Sequence, residues 1–422
     1  MNRKWILICV LAYIFSSPIA FGADNEPKPT DCGEIKGPGD IVKCALRVHP
    51  EARGAVYDKE IAYGLVSQAR RLPNPEFEAE FSQTDNIGQT SDTVELRLMF
   101  PLEIGGKRGA RIKKSKAQAD LVLSESLKTK EDVVINSLLK VYRLRQVLNE
   151  LELTIESLNT FRTVKGQYNR RKSLGPEQAV SLDIFSLAEA DYSMRQSALE
   201  AERGELIREL SIFIGRPFKV DRKILPKFRT NWPKLPATGD PVGSEFGIAR
   251  AKKRLADGEL EVAKSEAWPD FAIGPTYSLE TENNDEISTV GISIEMPLPV
   301  FNLNGGAKAV ARAEKKKAEI LERSQQVNFK NIRENLVEIY SSVTQRLKKI
   351  NPDVLSQTKH RRIHKYLKRG VVGAALVIES HRQIVEFQEH TNEQELRALL
   401  ALWRVRALDG ELLNEINNIK NP

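Results

Sequence analysis

The sequence predicts a mainly α-helical protein with a smaller β part, built from two copies of one unit. The first observation is an internal repeat, because the segment that begins at Pro101 recurs at Pro297, 196 residues later. The second is two pairs of short segments in which apolar and polar residues alternate, as in strands with one apolar face. The third is a series of apolar positions spaced seven residues apart, which indicates long coiled-coil helices.

The composition favours a folded chain and excludes two classes of protein. The 422 residues carry 64 Lys+Arg and 57 Asp+Glu, a net charge of +7, and 41% of the residues are hydrophobic. No stretch combines dense Lys and Arg with interleaved aromatic residues, which excludes a nucleic-acid-binding arm. Beyond the N-terminus no apolar run approaches the roughly 18 to 20 residues of a membrane-spanning helix, which excludes a helical membrane bundle.

The N-terminus has the pattern of a secretory signal peptide at residues 1–22. Basic residues at positions 3 and 4 precede an uncharged run that reaches the small-residue pattern Ala20-Phe21-Gly22. An N-terminal membrane anchor is the alternative, but Pro18 and the small residues favour cleavage after Gly22. We therefore expect the chain to be exported.

Export makes the cysteines informative. Cys9 lies in the signal peptide, whereas Cys32 and Cys44 would reach an oxidising compartment in which disulfides persist. The two could close a small loop near the mature N-terminus, and two lone thiols are too few for a metal site. Neither follows an apolar residue and two small residues, so we find no lipid-attachment motif.

The repeat predicts a first unit at residues 38–216, a proline-rich linker at 217–241 and a second unit at 242–415. Pro73-Asn74-Pro75 in the first unit matches Trp268-Pro269-Asp270 in the second. Within each unit the pattern runs from a helix through two strands to two very long helices.

Each unit contains one predicted hairpin with an apolar and a polar face. In the first strand Phe77, Ala79 and Phe81 alternate with glutamates. The other three strands alternate in the same way, with apolar residues at Val94, Leu96, Leu98 and Phe100, at Phe271, Ile273 and Tyr277, and at Val290, Ile292, Ile294 and Met296.

Heptad patterns predict the long helices. The region from Gly106 to Gln167 has roughly 60 residues, which as a helix would span about 90 Å, and a compact domain does not need helices of that length. The seven-residue lines are Val134, Val141, Leu148 and Ile155; Phe185, Tyr192, Leu199, Leu206 and Phe213; and Leu336, Val343 and Ile350.

Strands with one apolar face suit a membrane-spanning β-barrel, because an open sheet edge in lipid leaves backbone groups unpaired. One chain cannot close a barrel with four strands, since the smallest known barrels have about eight, whereas two chains give eight and three give twelve. The alternative is a soluble sandwich with its polar face in solvent, which gives no reason for the long coiled coils. In a barrel, the polar faces would line the lumen with Glu78, Glu80, Glu95, Arg97 and Glu295.

Three motifs resemble those of the TolC-like outer-membrane efflux family: residues 69–77, 101–111 and 297–302. The stretch Glu103-Ile104-Gly105-Gly106-Lys107-Arg108 is most similar to the CzcC-type heavy-metal-efflux branch, and the resemblance covers nearly all of residues 40–415. It implies a homotrimer in which four strands per chain form a twelve-stranded transmembrane β-barrel. This barrel would continue into a long α-helical coiled-coil barrel in the periplasm.

The resemblance also implies two partners, a periplasmic membrane-fusion adaptor and an inner-membrane pump of the resistance-nodulation-division (RND) class. The predicted function is therefore a passive outer-membrane conduit of a tripartite efflux system, surrounded by outer-membrane lipid, with heavy-metal cations as candidate substrates. The alternative is a periplasmic coiled-coil scaffold or adhesin without a pore. Two departures from the family pattern are the absent lipid-attachment cysteine and the pair Cys44 and His49, where relatives commonly have Ala and Asn.

Two glycine-marked turns between long helices are the predicted adaptor contacts. They are Arg170–Gln178, which contains Gly175, and Tyr366–Ala375, which contains Gly370 and Gly373. Glycine would permit the positive φ angles that tight turns between helices often require.

Asp183 and Glu379 are the predicted gate residues. They are 196 residues apart, so the repeat places them at similar heights in the helical barrel. Threefold symmetry would multiply them into a ring of carboxylates that favours cations. The resemblance implies an acidic constriction near the periplasmic end, which Glu379 matches more closely than Asp183. The alternative is that both are exposed acids on a solvated helix face.

No motif predicts catalysis, a cofactor or a metal site. There is no Ser-His-Asp order, phosphate loop or paired-carboxylate motif, so the protein is not expected to be an enzyme. The pair Gly305-Gly306 repeats Gly105-Gly106 and is better explained as a bend between strand and helix than as a phosphate cradle. His360 and His364 are spaced to share a helix face, but no third ligand lies nearby in sequence.

Overall fold

The computed structural model describes residues 32–86, 89–237, 239, 242–282, 285–350 and 373–418. The predicted signal peptide, His360, His364 and Gly370 lie outside these residues. The described part is mainly helical and contains one four-stranded antiparallel sheet, which confirms the predicted balance of helix and strand.

The same order of elements, a helix, a hairpin and long helices, occurs twice along the chain. The boundaries of the two predicted units stay a prediction. The elements are α1 (Pro38–Val48), α2 (Pro50–Arg70), β1 (Glu76–Asn86), β2 (Gln89–Leu102), α3 (Lys107–Asn169), α4 (Pro176–Ile214), α5 (Ser244–Ser265), β3 (Phe271–Glu282), β4 (Asp285–Glu295), α6 (Gly305–Leu347), α7 (Ala374–Leu408) and α8 (Leu412–Asn418).

The two hairpins join into one sheet with the strand order β1-β2-β3-β4. The central contact is between β2 and β3, where Val94 lies opposite Leu279 and Leu96 lies opposite Tyr277. The strands have 11, 14, 12 and 11 residues. Strands β1 and β4 are the two edges of the sheet within the chain.

Helix α3 is the central helix of the described chain. It has 63 residues, about 95 Å at the standard helical rise. It packs against α2, α4, α5 and α7. A helix of this length needs tertiary contacts along its whole course, because propensity alone gives little stability.

The heptad positions form the core between the long helices, as the sequence predicts. Val134, Val141 and Leu144 of α3 are fully buried. Ile155 departs from its line, since more than a third of its surface is exposed. The line along α4 is buried throughout, at Phe185, Tyr192, Leu199, Leu206 and Phe213.

The proline-rich linker is packed onto the helices rather than exposed. Phe218 and Leu225 join the apolar cluster formed by α1, α3 and α4. Trp232 joins the cluster formed by α3, α6 and α7, and the Tyr340 hydroxyl donates a hydrogen bond to the carbonyl oxygen of Pro233 at 2.5 Å. The linker therefore connects the cores of both halves.

A disulfide joins Cys32 to Cys44, with their Cα atoms 5.2 Å apart. Cys44 lies in α1 and is buried in the same cluster as Leu210 and Ile214 of α4. The bond therefore holds the start of the described chain against the end of α4.

The bends between the sheet and the long helices differ between the two halves. Gly105 and Gly106 have φ angles of 68° and 77°, and a side chain at Gly105 would collide with Trp268. In the second half the left-handed residue is Asn304, with a φ of 58°, while Gly305 already begins α6. The prediction that glycine forms the bend is therefore wrong for the second copy. Asn304 forms it instead, since asparagine tolerates the left-handed conformation.

Within the described ranges, none of the helices is both long enough and apolar enough to cross a membrane.

Candidate functional site

The sheet separates charged from apolar side chains. The register places Glu78 opposite Arg97 and Glu80 opposite Glu95, and residues opposite each other in a ladder share a face of the sheet. The Arg97 guanidinium donates to Glu95 at 2.8 Å and lies 3.5 Å from Glu78. The same face continues across β3 through Thr276 and Ser278.

Glu295 lies on this charged face as well. It stands opposite Ala272, and Ala272 lies on the same face of β3 as Thr276 because the two are an even number of residues apart. All five residues predicted to line a lumen therefore share one face. Their surroundings are acidic, with Arg97 as the single basic member of the five.

The opposite face of the sheet is apolar and uncovered. Phe81 is 74% exposed and Val290 is 79% exposed. No described element packs over them, and an exposed apolar area of this extent marks a membrane or protein contact. The members of this apolar face with more than a third of their surface exposed are Phe77, Phe81, Leu98, Phe100, Leu102, Tyr277, Val290, Ile292 and Ile294.

The glycines before α4 and α7 do not have the positive φ angles that the sequence suggested. Gly175 has a φ of −70° and Gly373 has a φ of −74°, so positive φ was the wrong reason for glycine at these positions. Gly175 is extended because it precedes Pro176, and a residue before proline is restricted to extended conformations. A Cβ at either glycine would meet no atom within 4 Å.

The predicted gate acid Glu379 is not an isolated carboxylate. Arg382, one turn later, donates to both of its oxygens at 2.8 Å, and Gln383 donates to one of them at 2.8 Å. The hydrogen bonds from Arg382 are the main cause that lowers the pKa of Glu379. Asp183 is exposed on α4. Sequence reasoning missed Arg382, although the spacing of three residues between opposite charges on a helix was a usable signal.

A buried polar network between α3 and α7 was also missed. Arg145 and Gln146 of α3 both donate to the Oε2 atom of Glu395 on α7, the latter at 2.8 Å. Asn392, one turn before Glu395, donates to Glu150 of α3 at 2.7 Å. Polar residues in a long helix are usually solvated, so the sequence contained no signal that these would be buried.

A second buried acid lies where the linker enters α5. The Ser244 hydroxyl donates to the carboxylate of Glu131, and Lys128, Asp132 and Glu245 surround it. Burial raises the pKa of Glu131 to about 7, more than the Ser244 hydroxyl and Lys128 lower it. The described residues contain no group of three or more His, Cys, Asp or Glu placed to hold a metal ion.

We expect Glu131 to make the stability of the protein depend on pH. The pKa of Glu131 in the folded protein lies above the ordinary value of 4.5. Its contribution to the free energy of unfolding is therefore complete below about pH 4.5 and is lost as the pH rises through 7. Glu131→Gln should remove this dependence and stabilise the chain at pH 8 by up to about 3 kcal/mol. Chemical unfolding at pH 5 and pH 8 measures the effect, with the exposed Glu125→Gln on the same helix as control; equal responses of the two variants would contradict the assignment.

The comparisons with known proteins agree with this geometry. No family model matches the chain. The cobalt-zinc-cadmium resistance protein CzcC of Cupriavidus metallidurans is 25% identical over 275 residues, 61% of this chain and 62% of that protein. The aligned region thus spans less than two thirds of that relative.

Solved structures of channels share the fold over most of their length. The Campylobacter jejuni CmeC outer membrane channel superposes with a TM-score of 0.71 at 12% identity, covering 90% of this chain and 88% of the other. The open state of the Neisseria gonorrhoeae MtrE outer membrane channel gives 0.67 at 15% identity, covering 89% and 90%. The sequence similarity to CzcC agrees with the resemblance described above, and the solved channels share the fold of this chain.

Proposed function

We propose that this protein is the outer-membrane channel of a tripartite efflux system and that it acts as a passive conduit. The observation that carries the proposal is the sheet, which is charged on one face, apolar and uncovered on the other, and joined directly to helices as long as about 95 Å. A lipid-facing wall and a water-filled lumen require these two faces. A periplasmic scaffold without a pore would leave the apolar face in water.

The sheet edges support a closed trimer. β1 and β4 each have one side without a partner in the chain, and an unpaired edge in lipid is costly. Pairing β4 of one chain with β1 of the next in three copies would close a twelve-stranded barrel. The charged face, with Glu78, Glu80, Glu95, Arg97 and Glu295, would then line the lumen.

The proposed cargo is a heavy-metal cation. CzcC is described as a cobalt-zinc-cadmium resistance protein, and acidic side chains dominate the proposed lumen. The proposed partners are a periplasmic adaptor and an RND-type pump in the inner membrane, which would supply the energy that a conduit does not.

Cross-linking and electrical recording test the channel together. We expect purified full-length protein in mild detergent to cross-link up to three chains and, in planar bilayers, to give conductance steps selective for cations. A water-soluble monomer without conductance would overturn the proposal and favour the scaffold.

Variants at the proposed gate test whether its acids determine the cation selectivity. Glu379→Gln with Asp183→Asn should lower cation selectivity, because it removes up to six carboxylates per trimer, while Arg382 keeps its ion pair with Glu386. Arg382→Gln should raise cation selectivity, because Glu379 then keeps its full charge. The exposed Glu200→Gln of α4 is the matched control. Unchanged selectivity in both the double variant and Arg382→Gln would place these acids outside the passage.

The turns at Gly175 and Gly373 are proposed to contact the adaptor. Both glycines have open space where a side chain would go, so Gly175→Trp should leave trimer cross-linking intact and weaken adaptor capture. If trimers fail to form instead, the glycine serves assembly rather than docking. Gly370, in the corresponding turn of the second half, is the third proposed contact.

A further inference from the structure

The segment between β4 and α6 is the most exposed apolar stretch of the described chain. We call residues 296–303 the junction segment. Leu298 is 70% exposed, Val300 is 73% exposed and Phe301 is fully exposed. Met296 and Leu303 also expose about half or more of their surfaces.

The junction segment is held in place although its side chains are uncovered. The N–H of Val300 donates to the carbonyl oxygen of Leu298 at 2.9 Å, which turns the chain at the intervening proline. At its end, the Asn304 side chain donates to the carbonyl oxygen of Ala263 at 2.9 Å. The apolar side chains are thus presented by a fixed backbone.

The corresponding segment of the first half is less exposed. Leu102, which matches Leu298, is 42% exposed, Ile104 is half-buried, and Gly105 lies against Trp268. Glu103 forms an ion pair with Arg111 of α3. The two copies of the repeat therefore differ in how far they expose the apolar residues that follow the strand.

A set of unpaired basic residues lies just beyond the junction. We define the basic collar as Lys113 and Lys116 of α3 with Arg312, Lys316 and Lys317 of α6. All five are exposed, and their side chains have no ion pair or hydrogen bond with another described residue. Their neighbours that face α5 are paired, as Lys315 is with Asp257 at 2.8 Å.

Members of the basic collar repel one another. Arg312 and Lys316 lie four residues apart on α6, and like charges at this spacing destabilise a helix. An anion outside the chain would offset this repulsion.

The collar and the junction segment lie at the same end of the molecule. Asn304 at the start of α6 bonds to the end of α5, Lys107 at the start of α3 pairs with Asp270 just before β3 at 2.7 Å, and Arg108 donates to the last residue of α2. At the helical rise, Lys113 and Arg312 lie about 10 Å from their helix starts. Helical side chains tilt toward the N-terminus, so their charged ends reach back toward the sheet.

We infer that the junction segment inserts into the periplasmic leaflet of the outer membrane, where the basic collar binds the anionic headgroups of its phospholipids. The inference rests on the proposed function, which sets the apolar sheet face in lipid, and the junction segment continues that face. Side chains such as Phe301 would lie at the boundary of headgroups and acyl chains, and lysine and arginine would extend to the phosphates. A second copy of the chain is the competing occupant.

Fluorescence in vesicles tests the inference on full-length trimers. Phe301→Trp in a Trp268→Phe background places one exposed tryptophan at the segment, since Trp232 and Trp403 are buried. We expect brominated phosphatidylglycerol, diluted in phosphatidylcholine, to quench it more strongly than the same fraction of brominated phosphatidylcholine. Lys316→Gln with Lys317→Gln should lower this preference by up to about 25-fold, since each of the two basic residues near an anionic surface contributes on the order of a fivefold effect.

The control is Arg171→Gln with Lys172→Gln in the exposed turn at the far end of α3, which should leave the lipid preference unchanged. Equal quenching by both lipids would overturn the role of the collar. Absence of quenching, together with loss of trimer cross-linking in Phe301→Gln, would assign the segment to a neighbouring chain. If the protein without the Phe301→Gln substitution still forms trimers with cation conductance, either of these outcomes would leave the proposed function standing. A chain that does not enter vesicles would contradict the proposed function itself.

Discussion

Glu395→Ala is expected to destabilise the helical body by about 3 to 5 kcal/mol, the usual cost of removing one partner of a buried ion pair. Glu395 is fully buried, and its partner Arg145 is nearly so. Its other oxygen accepts the backbone N–H of Arg229 in the linker at 3.0 Å. The variant would leave a buried guanidinium and a backbone donor without their acceptor, and the Gln146 amide would keep only the carbonyl oxygen of Asn392 at 3.1 Å.

The effect can be measured as the shift in the guanidinium midpoint of helix unfolding, followed by circular dichroism. The matched control is Glu393→Ala, since Glu393 is exposed on the same helix two residues earlier and should shift the midpoint little. Glu395→Leu combined with Arg145→Met should recover most of the loss, because no buried charge is left unpaired. Similar shifts for Glu393→Ala and Glu395→Ala would show that the pair does not hold α3 to α7.

Arg333→Ala should release the linker and destabilise the chain by a comparable amount, about 3 to 5 kcal/mol. Arg333 is 1% exposed and donates to Asp409 at the end of α7 through two bonds of 2.7 and 3.0 Å. It also donates to the carbonyl oxygens of Pro236 and Ala237 at 3.3 and 3.4 Å. One side chain thus ties the linker to both α6 and α7.

Limited trypsin digestion is the sharper measurement for this variant. Cleavage after the exposed Lys234, two residues before the first bonded carbonyl, should become faster in Arg333→Ala. Arg333→Lys should be intermediate, because an ammonium keeps the charge but cannot form the same fork of hydrogen bonds. The exposed Arg323→Ala on the same helix is the control. An unchanged cleavage rate in Arg333→Ala would mean that the linker is held by its apolar contacts at Trp232 instead.

Much of the candidate site could be predicted, because it depends on periodicity. The alternation in β1 and β2 places Phe77 and Glu78 on opposite faces whatever the partner strand is. The seven-residue spacing along α4 predicts the buried line from Phe185 to Phe213 for the same reason. Only the resemblance, not the pattern, supplied the number of chains.

The conformations and partners of individual residues could not be read in the same way. Gly175 was expected to have a positive φ, but Pro176 restricts it to an extended conformation, while Gly105, Gly106 and Asn304 are among the residues that are left-handed. Glu379 was expected to be a free acid, yet Arg382 shares its charge. Each of these outcomes depends on which of several sterically allowed local arrangements the neighbouring side chains select.

The sequence by itself determined the two-copy architecture, the strand faces and the buried heptad lines, because these follow from spacings of two and seven residues along a single element. Only the tertiary structure decided that Glu395 is buried against Arg145, 250 residues away, that Arg333 holds the linker, and that the second copy of the junction is more exposed than the first. Such contacts join residues distant in the chain. Their energies depend on the distance and desolvation of particular atoms, which the order of residues does not contain.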